Sequence, residues 1–256
     1  MPFKRRSIVA AGFAAVAALG ACALLPEGVK DRMGNSEKAS LNLQMGVRYM
    51  DLGMLDIAKE KLELAENLDS SNPETQNALA VFYERTKDFD QAGDHYKSAL
   101  NKDPENIGTK NNYGRFLCEH GDTSKGIALL QESLDSPMNN RSWLALTNLG
   151  VCMLKQNDIE RAEGYFRQAL LLNAGYATAL QEMQKISYNK QQFMSARAFL
   201  ERYLAVSKHT PETLWIAVQT ERSLGNSQGA DEYKELLLTL FPASQEAHQV
   251  KSAINK

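Results

Sequence analysis

From residue 39 onward, small and large apolar positions return in the same order, and no stretch of useful length alternates with the two-residue period of a strand. Fragments such as GVRYMDLGMLDIAKEKLELA, AVFYERTKDFDQAGDHYKSAL and GVCMLKQNDIERAEGYFRQAL align into six units beginning at Ala39, Pro73, Ile107, Trp143, Ala177 and Pro211. Every start follows the last by 34 residues except the step from Ile107 to Trp143, which is 36. A constant interval of this size is the mark of stacked helical hairpins, each stabilised by its neighbours. The pattern therefore predicts an all-α chain.

Within a unit, the eighth place holds Gly46, Ala80, Gly114, Gly150, Gln184 or Val218, and the twentieth holds Ala58, Ala92, Gly126, Ala162, Ala196 or Ala230. Small residues are expected where two helices approach most closely, because little more than a methyl group fits there. Large residues flank them: Tyr49, Tyr83, Leu117 and Met153 on first helices, Leu62, Tyr96, Leu130, Phe166 and Leu200 on second helices. Lys87-Asp88, Gly121-Asp122 and Asn157-Asp158 read as turns inside units, and Pro104 and Pro242 as second-helix terminators. The arrangement resembles the tetratricopeptide repeat, which implies a superhelical solenoid of six helix-turn-helix repeats, near 39–72, 73–106, 107–142, 143–176, 177–210 and 211–244. Residues 245–256, with Ala247, Val250 and Ile254 on one stripe, read as a capping helix. Gln184, Ser187, Glu221 and Lys234 depart from the pattern, so the phase of units five and six is open and their packing is expected to be looser or specialised.

The first 21 residues differ in kind. Lys4, Arg5 and Arg6 precede an apolar run from Ile8 to Ala21 and then Cys22. The run is shorter than the roughly 20 residues a membrane-spanning helix requires, so an export signal is expected. Leu19-Gly20-Ala21-Cys22 resembles a bacterial lipobox, which implies lipidation at Cys22, and residues 22–38 read as a short tether. Ala23 and Leu24 follow the cysteine where an Asp would favour inner-membrane retention; by resemblance the destination is the periplasmic face of the outer membrane. More than one acyl chain makes such anchoring durable. Loss of residues 1–21 removes three positive charges, taking the net charge from -2 to -5.

That balance carries no basic footprint for nucleic acid. Three cysteines and four histidines lack the spacing of a metal site, no Gly-rich loop cradles phosphate, and the carboxylate pairs Glu60/Glu63 and Glu160/Glu163 have basic neighbours. No catalytic residue, metal or cofactor is expected beyond the lipid on Cys22, and no small-molecule substrate. Cys118 and Cys152 fall in the first helices of units three and four, close enough for a disulfide in an oxidising compartment, yet at non-equivalent places; a bridge and two buried thiols both stand as readings.

A partner is expected on the concave face lined by first helices. Leu43, Val47 and Met50 supply apolar contacts there, joined by Asn77, Val81, Glu84, Arg85, Asn111, Arg115 and Glu119. The carboxylate clamp of chaperone-binding tetratricopeptide domains is not matched, since Leu43 and Val47 stand where its Lys and Asn would be. The run from Asn111 to Cys118, NNYGRFLC, with Gly121 and later Asn148-Leu149-Gly150-Val151-Cys152, is similar to the type IV pilus biogenesis/stability lipoproteins of the PilW/PilF pilotin family. That resemblance implies binding of the pilus secretin, promotion of its outer-membrane localisation and multimerisation, and support of twitching motility. A scaffold for another envelope assembly machine is the alternative; a periplasmic enzyme using the repeats as a docking arm has no residues left for a catalytic domain.

Overall fold

A computed structural model describes residues 34–254, with side chains to Lys251. The expected signal peptide at 1–21, the expected lipidation site Cys22, most of the expected tether and the side chain of Ile254 lie outside the described residues. The described chain is helical, with no strand among its residues. In order the helices are α1 (Asn35–Asp51), α2 (Leu55–Leu68), α3 (Pro73–Arg85), α4 (Phe89–Lys102), α5 (Ile107–His120), α6 (Thr123–Asp135), α7 (Ser142–Lys155), α8 (Ile159–Leu172), α9 (Ala177–Asn189), α10 (Phe193–Leu204), α11 (Pro211–Ser223), α12 (Ser227–Leu240) and α13 (Gln245–Ile254).

Side-chain caps start many of these helices. Asn72, Asp88, Asn106, Asp122, Asp158 and Asn226 each accept a backbone N–H from the first turn that follows, and Pro73 and Pro211 open α3 and α11 where no N–H is needed. Units two, three, five and six begin their first helices at the expected residue, and unit four begins one earlier, at Ser142. The first helix departs furthest: α1 begins at Asn35, so the last residues of the expected tether are helical. Glu37 reaches back to the Gly34 N–H at 3.1 Å, which caps α1 before Ala39.

The described chain falls into two compact units, one ending at Ser71 and one beginning at Asn72. In the first, α1 pairs with α2 around Leu43, Gly46, Met50, Ala58 and Leu62. In the second, α3 to α12 form five hairpins packed in chain order, with α13 against α11 and α12. Ala247 and Val250 of α13 are buried beside Leu214 and Leu237, the capping role expected for that segment.

The small places work as the sequence reading requires. A Cβ on Gly150 would fall 2.6 Å from the Phe166 ring, and one on Gly46 would fall 2.6 Å from Leu62 Cγ. Unit three has glycine at both places, and a Cβ on Gly126 would lie 2.6 Å from the Gly114 carbonyl oxygen. The lengthened junction after α6 is organised by Asn139, whose amide donates to the Ser133 carbonyl at 2.7 Å and whose side-chain oxygen accepts from the Arg141 N–H.

Units five and six are specialised, not loose. Gln184 is fully buried and donates to the Thr213 carbonyl at 3.2 Å, tying α9 to α11. Buried Glu221 receives Arg197 of α10 and Asn226. The Glu221 carboxylate is paired as a buried charge must be, while the Gln184 Oε1 is buried with no hydrogen-bond partner.

Candidate functional site: the face of the first helices

In the second unit, α3 packs beside α5, α5 beside α7, and α9 beside α11, so successive first helices share one face. Their fifth and sixth places meet across the gaps. Asn112 donates to the Asn77 side-chain oxygen at 3.2 Å, and Asn148 donates to that of Asn111 at 3.2 Å. Farther along, Gln181 donates to Glu212 at 3.0 Å, and Lys185 pairs with Glu212 at 2.9 Å.

Between α3 and α5 lies a charged knot. Arg115 donates through one nitrogen to both oxygens of Glu84, at 3.0 and 2.8 Å, and through another to Glu119 at 3.2 Å. The Tyr96 hydroxyl from α4 also donates to Glu84. Burial works against the charged guanidinium of Arg115, but Glu84, Glu119 and Tyr96 together raise its pKa. Burial, then the Glu84 charge, pushes the Tyr96 phenol far above its ordinary range. Ligand atoms of Glu84, Glu119 and His120 lie within 4.8 Å of one another. Arg115 already supplies the positive charge to both carboxylates, and His120 stacks on Phe89 at 3.9 Å, so the cluster is a self-satisfied ion network.

The predicted partner residues fall into three groups. Leu43 and Met50, expected to be exposed, are core residues at 8% and 3% exposure, because the α1 stripe carrying them faces α2. Val47 is 39% exposed. Asn111 is buried, while Asn77 and Arg115 are half-buried and bonded to neighbouring first helices. Val81 is half-buried against the cluster of Ala80, Tyr96 and Phe116, and Arg85 is exposed. Sequence reading named Asn77 and Asn111 but missed that their partners, Asn112 and Asn148, come from the next unit's sixth place. That offset is visible only once the stagger between hairpins is known.

The two cysteines among the described residues are joined. Cys118 of α5 and Cys152 of α7 form a disulfide with Cα atoms 5.3 Å apart. Their twelfth and tenth places become opposite because α5 and α7 are offset along their axes.

Models of the tetratricopeptide repeat match residues 77–107 and 117–179. The type IV pilus assembly protein PilF of Pseudomonas aeruginosa is 26% identical over 225 residues, 88% of this chain and 89% of that protein. A solved structure of Pseudomonas aeruginosa PilF covers 86% of the chain and 100% of its own, at TM-score 0.72 and 24% identity. The crystal structure of PilW, a widely conserved type IV pilus biogenesis factor, covers 83% of this chain and 97% of its own, at TM-score 0.72 and 26% identity. This chain's helical hairpins, small-residue register and these likenesses show the tetratricopeptide-repeat fold, and the chain resembles the type IV pilus proteins PilF and PilW along most of its length.

Proposed function

We propose that this protein is a non-enzymatic docking factor of type IV pilus biogenesis: an outer-membrane lipoprotein, anchored through Cys22 and facing the periplasm, that holds the pilus secretin and promotes its multimerisation. The observation that carries the reading is the likeness to PilF, which runs through nearly the whole length of both chains rather than through isolated repeats. The polar face of first helices supports it. Side-chain amides of Asn77, Asn112, Asn111 and Asn148 form a row along the second unit suited to backbone groups of an extended segment.

Anchoring raises the encounter rate by confining both partners to one surface, so lipid and repeats act together. The test is detergent extraction of membranes, capture of the protein and blotting for secretin, alongside a Cys22→Ala variant. Co-capture by the native protein, with the variant released from membranes and secretin multimers lost, is the expected result. Capture without secretin, or unchanged multimers in the variant, overturns the proposal.

A further inference from the structure

Two places in the repeat change character along the second compact unit. At the twenty-ninth and thirtieth places, the ends of the second helices, units two and three carry Asn101-Lys102 and Asp135-Ser136, whereas units four, five and six carry Leu171-Leu172, Ala205-Val206 and Thr239-Leu240. Polar residues in two units show that hairpin packing does not demand an apolar group there. Yet Leu171 is 85% exposed, and Leu172, Val206 and Leu240 are each more than half exposed. A hollow of about 320 Å³ opens between α8 and α10, lined by Arg167, Leu170, Leu171, Phe199 and Arg202. A second, of about 410 Å³, lies between α10 and α12, with Leu204, Lys208 and Phe241 in its wall. Both are shallow and open to solvent, so a side chain from a surface-bound segment can enter them but neither encloses a ligand.

We infer that this edge of units four to six is a second docking surface, for a peptide segment of a partner protein that carries apolar side chains flanked by acidic ones. Charge names the occupant. Arg167 and Arg202 line the first hollow and Lys208 the second, while no carboxylate lines either. Arg202 lies over the Phe199 ring at 5.5 Å and is positioned before anything binds, whereas Arg167 is already paired with Glu163 at 2.7 Å, so Arg202 is the cation of the first hollow that meets a carboxylate. Apolar groups fill the hollows and carboxylates meet the cations at the rim. Hollows floored by aromatic rings suit inserted side chains better than the flat plane of a bilayer. The surface is distinct from the face of the first helices and does not rest on the proposed pilus role.

The test uses the full chain and short fluorescent peptides: one of alternating Leu and Glu, a Leu/Lys counterpart, and a Ser/Glu control. The Leu/Glu peptide is expected to bind, the others weakly or not at all. Leu171→Asp with Val206→Asp should weaken binding at least about tenfold with helical content unchanged, since both side chains are solvent-facing. Arg202→Glu with Lys208→Glu should shift preference toward the Leu/Lys peptide. Equal binding of all three peptides, or insensitivity to both variants, overturns the proposal. So does loss of binding to phosphatidylglycerol vesicles through the Leu171 and Val206 changes, which would make the edge a lipid contact.

Discussion

The sulfur of Cys118 occupies the space that a side chain on Gly126 would need: a Cβ there would lie 2.8 Å from Sγ and 2.6 Å from the Gly114 carbonyl oxygen. Unit three thus exchanges the usual alanine for glycine at the place where the disulfide enters the hairpin. Gly126→Ala should cost about 1–3 kcal/mol in denaturant unfolding, because a backbone carbonyl cannot swing aside as a side chain can. Gly164→Ala is the control. Nothing lies within 4 Å of a Cβ at that position in α8, so it should gain about 0.5–1 kcal/mol from helix propensity.

Opening the bridge between Cys118 and Cys152 releases a 34-residue separation in the unfolded chain. The chain-entropy model assigns such a loop about 3–4 kcal/mol. Cys118→Ala with Cys152→Ala should lower stability by an amount of that order and bring protease sensitivity to the junction near Asn139. Equal stability of the native and substituted proteins would show that neighbouring helices alone fix that junction.

Glu84 and Arg115 should be energetically coupled. Glu84 is 9% exposed at its side chain and Arg115 30%, so solvent screening is incomplete but real. A double-mutant cycle with Glu84→Gln and Arg115→Met is expected to give a coupling of about 1–2 kcal/mol. Arg115→Met should cost more than Glu84→Gln, since it leaves the Glu84 carboxylate without its cation beside buried Tyr96, whereas Arg115 keeps Glu119 at 3.2 Å when Glu84 is neutralised.

His209 sets a pH slope. Burial lowers its pKa below the ordinary value near 6.5, and its Nδ1 is buried with no hydrogen-bond partner. The unfolded chain therefore binds a proton more readily than the folded one. Stability contributed by the neutral ring is present above about pH 6.5 and falls as pH drops through that value toward the lower folded pKa. Thermal midpoints should decline between neutral and mildly acidic pH, and His209→Phe should flatten that part of the curve.

The repeat places were readable because they answer to contacts inside one hairpin: Gly150 against Phe166 and the Asp88, Asp122 and Asp158 caps depend on nearby sequence. The inner-face assignments were less readable. Leu43 and Met50 sit at places assigned to the partner-binding face, yet they are buried in α1, as Asn111 and Thr147 are at Leu43's fifth place in later units. Whether a residue such as Asn111 meets solvent or Asn148 depends on stagger between units, which no local spacing encodes.

One covalent link changes how the array would respond to pulling. Tension entering from the N-terminal side reaches Cys118 and crosses directly to Cys152 through the sulfur atoms, leaving residues 119–151 slack. The segment between the two cysteines therefore cannot be drawn out while the bridge is intact. Extension under load would proceed from the outer hairpins and stop short by the length of that bypassed segment.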